Sequence, residues 1–151
     1  MPNSFLTFFY SGLSPKAPGT AGSLLATVLG VVLIRYISME TLVLLTILVT
    51  MIAFKQINAY EEQSGNHDDS RIVIDEAVGV WIALILSSQT LLQIVLSFLF
   101  FRLYDIWKPS LIGRIDRNVK GALGVIGDDM LAGVLAGISS AALYQLVTPL
   151  I

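Results

Sequence analysis

The sequence predicts an all-α fold, a polytopic membrane bundle of about five short transmembrane helices, and two observations support this. The 151 residues are 55% hydrophobic and only 13% charged, with a mean hydropathy of +0.78, whereas a soluble domain is about 25% charged. The charges also gather in two polar segments, residues 55–76 and 102–129, which separate long apolar runs. The length suits one domain over residues 1–151.

The first two apolar runs predict a helical hairpin. Residues 17–34 and 41–54 carry no charge and lie only a few residues apart. Residues 130–151 form another uncharged run, which predicts a C-terminal helix. Before the first helix, the aromatic residues among positions 5–10 are expected to lie at the membrane surface as an anchor, namely Phe5, Phe8, Phe9 and Tyr10.

The middle run is open to two interpretations. Residues 77–101 are uncharged and long enough for one helix, but the four polar residues 87–90 interrupt them. A second hairpin, Ile72–Leu86 followed by Leu91–Trp107, places eight of the nine cations on one membrane side. A single helix divides the cations between both sides. Because cations in short loops stay cytoplasmic, we expect two hairpins plus a C-terminal helix, with the polar segments together on the cytoplasmic face.

Small residues at spacing four predict where the helices pack closely. One such stripe is Gly79, Ala83 and Ser87, and another begins at Gly133 and Gly137. Small residues let membrane helices approach each other, so these positions are expected to pack and not to carry chemistry.

Composition excludes several classes of function. The chain has no cysteine and one histidine, which excludes thiolate chemistry and a two-histidine zinc site. A net charge of −2 argues against a nucleic-acid partner, because phosphate neutralisation needs an excess of cations. The N-terminus also lacks the cationic region and cleavage site of a signal peptide.

Two pairs of adjacent acids are candidate metal ligands. Asp75-Glu76 and Asp128-Asp129 are each predicted at the start of a helix. Capping of free backbone N–H groups is one explanation. A shared cation is the other, because adjacent acids repel one another and hard cations such as Mg²⁺ take carboxylate oxygens. Spacing alone leaves both explanations open.

Two segments offer candidate phosphate-binding groups. Arg102, Asp105 and Lys108 recur at spacing three, which fits either an Arg102–Asp105 ion pair with Lys108 extended to the lipid headgroups or a pair of cations that binds phosphate. Residues 11–23 are rich in glycine and proline just before a helix. This segment is either a turn that orients the helix or an anion site to which Lys16 adds charge.

Four segments resemble motifs of the phosphatidylglycerophosphatase A family and occur in the family's order. They are Gly12–Ser23, Ile72–Gly79, Phe101–Pro109 and Ile115–Asp129. The resemblance extends over about residues 10–137. Small departures from the family pattern remove no charged or hydroxyl group and fall at Ser110-Leu111, Ala122 and Gly127.

The resemblance implies a multi-pass enzyme of the bacterial inner membrane with its active site at the cytoplasmic surface. Its substrate would be an anionic phospholipid, phosphatidylglycerophosphate, and its products phosphatidylglycerol and phosphate. The family is also expected to require Mg²⁺.

Elimination favours metal-assisted hydrolysis for such an enzyme. Cysteine is absent, His67 is the only histidine, and no Asp-x-Asp-x-Thr segment occurs. The predicted metal ligands are Asp75, Glu76, Asp128 and Asp129. The predicted phosphate-binding residues are Lys16, Thr20, Ser23, Arg102 and Lys108, of which Lys16, Arg102 and Lys108 are also counted as catalytic, together with Asp105.

The sequence leaves three roles open for Asp105. It orients water as a base, binds metal, or accepts the phosphoryl group covalently. His67 and Asp68 lie in a polar loop outside the motifs, and a change of Asp68 to Asn is expected to matter little.

Two other classes of function fit the positions of the charged residues less well than a phosphatase does. A small ion or solute transporter would use the same acids, but it is expected to place charges near the middle of its helices, and here they lie towards predicted helix ends. A non-catalytic lipid-binding scaffold would use the basic surface, but it would not need the acid pairs.

Overall fold

The chain folds entirely into helices, which confirms the predicted fold class. The computed structural model describes residues 1–151 and contains six α-helices, two short 3₁₀ turns and no strand. The α-helices are α1 (Pro18–Tyr36), α2 (Met39–Ser64), α3 (Ile74–Leu86), α4 (Leu91–Trp107), α5 (Ser110–Asn118) and α6 (Gly121–Val147). The 3₁₀ turns are Ser11–Leu13 and Thr148–Leu150. The charge pattern does not predict α5, which lies within the second polar segment.

Residues 77–101 form the predicted hairpin and not one helix. α3 ends at Leu86 and α4 begins at Leu91. At the start of α4, Thr90 and Gln93 exchange hydrogen bonds between side chain and backbone N–H, a capping box that begins a new helix. The start of α3 and the end of α4 border one cavity, so the chain reverses direction between them.

α3 lies at the centre of the bundle, with α1, α2, α4 and α6 packed against it. Nine of its 13 residues are buried, so protein surrounds this helix, and its length of about 20 Å need not match a bilayer. A Cβ atom at Gly133 of α6 would lie 2.1 Å from the carbonyl oxygen of Gly79. The two helices therefore touch through their backbones, as the small-residue stripes predict.

The outer surface of the bundle suits a membrane. α1, α2 and the segment Gly121–Leu150 are each long and apolar enough to cross one. Large apolar side chains on these helices point outward and are exposed, among them Leu24, Val28, Leu44 and Met51. An apolar surface of this extent is typical of contact with lipid or with a partner.

The N-terminal aromatic residues differ from the expectation. The Leu6 carbonyl oxygen accepts hydrogen bonds from two N–H groups at the start of α3, which folds this segment back onto the bundle. Phe8 is therefore only 4% exposed, and its ring lies edge-on to Trp81 at 5.9 Å between ring centroids. The prediction of a surface anchor is wrong for Phe8, whereas Phe9 and Tyr10 are exposed.

The C-terminal helix begins earlier than the charge pattern suggests. α6 starts at Gly121, where the Asn58 side chain of α2 accepts a hydrogen bond from the Ala122 N–H at 2.9 Å. Asp128 and Asp129 consequently lie about two turns inside the helix. The prediction that they stand at its start is wrong, and the capping of free N–H groups does not explain them.

Candidate active site

A polar cavity of about 320 Å³ lies where α3 begins and α4 ends. Residues from all four predicted motifs border it, although they are spread over more than 100 positions of the chain. The site residues brought together there are Asp75, Glu76, Arg102, Asp105, Lys108, Asp128 and Asp129. The remaining lining residues are Ala17, Pro18, Gly19, Asp68, Ser70 and Ile72.

Three carboxylates converge in the cavity. Asp75, Glu76 and Asp129 each bring an oxygen within 4.8 Å of the others. Asp75 and Asp129 are only 7% and 3% exposed. Oδ1 of Asp75 and Oε2 of Glu76 are buried without a hydrogen-bond partner, and no side chain caps the start of α3.

These unpaired oxygens favour the cation explanation over the capping explanation. Buried carboxylates without partners are costly, and three of them side by side also repel one another. A hard divalent cation such as Mg²⁺ takes carboxylate oxygens as ligands and would compensate both costs. The donor set of Asp75, Glu76 and Asp129 therefore fits such a cation.

Arg102 reaches this cluster from the last turns of α4. Its guanidinium donates to Asp105 and, at 3.5 Å, to the Ser23 hydroxyl of α1, while its buried Nε atom has no partner. A Cβ atom at Gly19 would lie 2.7 Å from Oε1 of Glu76, so the start of α1 lies close to this cluster. The Arg102–Asp105 ion pair exists, and Arg102 still has a donor available.

Lys108 turns towards carboxylates instead of the lipid surface. Its Nζ atom donates to Asp116 at 2.8 Å and to Asp128 at 2.7 Å. Partial burial opposes the positive charge, but these two hydrogen bonds raise the pKa of Lys108 above its usual value. The structure thus groups Asp128 with Lys108, apart from the three converging carboxylates, and its role as a metal ligand stays a prediction.

Three predicted phosphate-binding residues lie outside the cavity lining. Lys16 is exposed, and Thr20 is partly buried. Ser23 is fully buried, and its hydroxyl donates to the Gly19 carbonyl oxygen at 2.6 Å as well as accepting from Arg102. Ser23 therefore contacts the site through Arg102, and direct phosphate contacts from these three residues stay predictions.

Sequence reasoning missed three residues at the site. Asp68 and Ser70 line the cavity, although they fall outside every motif, and Asp116 holds Lys108. Asp68 therefore lies at the cavity although its loop is outside the motifs, and the small effect expected of Asp68→Asn stays a prediction. No periodicity or spacing signals this position, because polar contacts with Tyr60 and Glu61 of α2 hold the loop, and hydropathy does not reveal such contacts.

Fold and site together define a class, an all-helical protein with an apolar outer surface and an acid-rich cavity at one end. Comparison with known proteins identifies the family. Residues 4–144 match the family described as Phosphatidylglycerophosphatase A, and the chain belongs to that family.

Two similar proteins carry the family's name, and a third is named for another lipid. The chain is 38% identical over 129 residues to Phosphatidylglycerophosphatase A of Escherichia coli K12, covering 85% of this chain and 74% of that protein. The protein of the same name from Haemophilus influenzae is 37% identical over 129 residues, at 85% and 79% coverage. A Bacteroides thetaiotaomicron protein provisionally named phosphatidylinositol-3-phosphatase is 40% identical over 134 residues, at 85% and 84%. No solved structure matches the chain.

Proposed function

We propose that this protein is a Mg²⁺-dependent lipid phosphatase that hydrolyses the terminal phosphomonoester of phosphatidylglycerophosphate, giving phosphatidylglycerol and inorganic phosphate. The family and its named relatives support the substrate. The observation that carries the chemistry is the unpaired oxygens of Asp75 and Glu76, which lie beside Asp129 in the same cavity as Arg102.

The charge balance of the cavity supports a metal ion. Six carboxyl groups and only two cationic side chains line it. A phosphomonoester carries about −1.5 to −2 charge near neutral pH, so the acids alone would repel the substrate. Asp75, Glu76 and Asp129 would hold Mg²⁺ and so reduce that repulsion. The chemistry supplied by Mg²⁺ at such a site is polarisation of the phosphoryl oxygen and of a water molecule.

The cationic side chains bind and orient the phosphate in this proposal. Arg102 and Lys108 neutralise the negative charge that spreads over the phosphoryl oxygens during transfer. Gly19, in the first turn of α1, lines the cavity, and the free N–H groups at a helix start suit an anion. Lys16 adds charge from the exposed side of this turn, and Ser23 holds Arg102 in place.

In this proposal Asp105 is the base that accepts the proton of the attacking water. Water forms a bond to phosphorus, the bond from phosphorus to the glycerol oxygen breaks, and the proton passes through Asp105 to that oxygen. The contact with Arg102 holds the Asp105 carboxylate at the cavity. Of the three roles open to Asp105 from the sequence, we therefore choose that of base.

We place the cavity at the cytoplasmic surface of the bacterial inner membrane. The polar segments that frame it carry most of the cations of the chain, and cations in short loops stay cytoplasmic. A lipid headgroup reaches a cavity at this level without leaving the membrane.

Phosphate release by the detergent-solubilised protein tests the proposal. We expect release from phosphatidylglycerophosphate in mixed micelles, loss of release after chelation, and recovery when Mg²⁺ is restored. Phosphatidylinositol 3-phosphate serves as the competing substrate, because one relative is named for that lipid. Activity that survives chelation would refute the metal, and activity on the inositol lipid alone would refute the substrate.

A further inference from the structure

The loop of residues 65–73 between α2 and α3 forms one wall of the polar cavity. Asp68 and Ser70 belong to this loop and are the only lining residues outside the four motifs. Asp68 is exposed, and its carboxylate has no hydrogen bond or ion pair, whereas Asp105 and Asp128 are paired with cations. Its position therefore requires an explanation other than internal pairing.

Neighbouring contacts hold the loop in place. Asp69 accepts hydrogen bonds from the Arg71 guanidinium at 2.7 and 3.0 Å and from the Tyr60 hydroxyl at 2.6 Å. The Arg71 guanidinium holds the pKa of Asp69 well below its usual range. Glu61 accepts from the Asp68 N–H at 3.1 Å, and Asp68 has a left-handed φ of 55°, which Asp and Asn tolerate better than most residues. Asp68 is thus positioned at the cavity by its surroundings.

The burial of the phosphate-binding side chains indicates which part of a lipid headgroup contacts Asp68. Arg102 and Asp105 are only 14% and 12% exposed at their side chains, and Asp129 is buried, so a phosphate bound by this group lies in the inner part of the cavity. Asp68 lines the same cavity but is exposed, which puts it within reach of the part of the headgroup that follows the phosphate. A carboxylate repels both phosphates of such a headgroup, but it accepts a hydrogen bond from a hydroxyl.

We propose that Asp68 accepts a hydrogen bond from the headgroup hydroxyl next to the phosphorylated carbon and thereby selects polyol phosphate headgroups. This inference rests on the proposed phosphatase function and adds a subsite for the hydroxyl. Asp68 is then a specificity-determining residue and not part of the group that binds the phosphate.

Two substrates separate a hydroxyl contact from a general catalytic role. One is phosphatidylglycerophosphate, and the other is the analogue in which 1,3-propanediol replaces glycerol and the hydroxyl is missing. Because a hydrogen bond to a charged group contributes about 1.5–3 kcal/mol, Asp68→Ala is expected to lower kcat/KM on the hydroxyl substrate about 10- to 100-fold. On the analogue, kcat/KM is expected to stay unchanged, as in a double-mutant cycle.

Matched variants keep the test decisive. Asp68→Asn preserves tolerance of the left-handed backbone, and its kcat/KM on the hydroxyl substrate should lie between those of wild type and Asp68→Ala. This variant keeps the test valid if the alanine variant folds poorly. Glu62→Gln removes an exposed carboxylate of α2 that does not line the cavity and should match wild type on both substrates.

Each other outcome overturns the inference. Equal losses on both substrates would show that Asp68 acts on the phosphate or a metal ion, and no loss on either would show that it has no contact with the headgroup. Failure of the wild-type protein to hydrolyse either lipid would instead refute the proposed function itself. That outcome is measured on the wild-type protein alone and does not depend on the variants.

Discussion

At the end of the bundle opposite the cavity, the buried polar side chains are neutral and mostly hydrogen-bonded, whereas the cavity end also buries charged side chains, some with unpaired atoms. Ser140 of α6 donates to the Gln93 carbonyl oxygen at 3.0 Å and lies 2.9 Å from the Ser87 hydroxyl. Ser97 donates to the Ser87 carbonyl oxygen at 2.7 Å. Ser88 is the exception, since its buried hydroxyl has no partner.

The cavity end contrasts with this arrangement. Unpaired buried atoms occur there on Asp75, Glu76 and Arg102, and each belongs to an ionisable side chain. An unpaired ionised group is far more costly to bury than a hydroxyl. The far end therefore serves packing, and the cavity end retains groups that only a ligand can satisfy. A transporter would place such groups along a path between the ends, and the far end shows none.

The first prediction tests whether the two ends lie on opposite sides of the membrane. The chain has no cysteine, so Gln89→Cys and Asn118→Cys each create a single exposed thiol. In intact cells an impermeant thiol reagent should label position 89 and leave position 118 unlabelled until the inner membrane is opened. Labelling of both positions from one side would refute the hairpin topology.

The second prediction removes one of the converging carboxylates. Asp129→Asn should lower phosphate release on the order of 100-fold or more, because the loss weakens metal binding and charge stabilisation. In the absence of metal its melting temperature should not fall, since the change removes a buried carboxylate that repels Asp75 and Glu76. Phosphate release and thermal unfolding are measured in parallel, with Glu62→Gln as the control. A folded Asp129→Asn variant with full activity would contradict the site.

The third prediction concerns the guanidinium of Arg102. Arginine holds two phosphoryl oxygens at once, and lysine holds one. Arg102→Lys should lower kcat on the order of 10-fold, with a smaller rise in KM, and Arg102→Ala should be nearly inactive. If the pair with Asp105 were only structural, the lysine variant would match wild type, and the activity of the alanine variant would fall with its melting temperature.

The fourth and smallest effect is expected at the far end. Ser140→Ala removes two hydrogen bonds and should cost about 1 kcal/mol of unfolding free energy. Thermal unfolding of the purified protein measures that cost. The kcat of the folded fraction should stay at the wild-type value, and a reduced kcat would show that the two ends are coupled.

Much of the architecture could be predicted because it depends on the hydropathy and charge of consecutive residues along the chain. The length of the apolar runs and the position of the cations indicate the helices, and the polar break at residues 87–90 indicates the second hairpin. The small residues at Gly79 and Gly133 likewise predict the close contact of α3 with α6.

Other features depend on residues that meet only in the folded chain. The start of α6 rests on a hydrogen bond from Ala122 to Asn58, and the α5 helix brings Asp116 to Lys108. The loop that carries Asp68 is held by Tyr60 and Glu61 of α2. None of these contacts follows from hydropathy, because each joins polar groups that any exposed segment also contains.

Residue type and order along the chain are enough to identify the acids and cations of the four motifs. Which of these groups become partners depends on the folded bundle. It grouped Asp75 and Glu76 with Asp129, assigned Asp128 to Lys108 and brought Asp68 into the lining. The physical reason is that burial removes water as a partner for every charge, so the role of each group depends on its neighbours across the bundle.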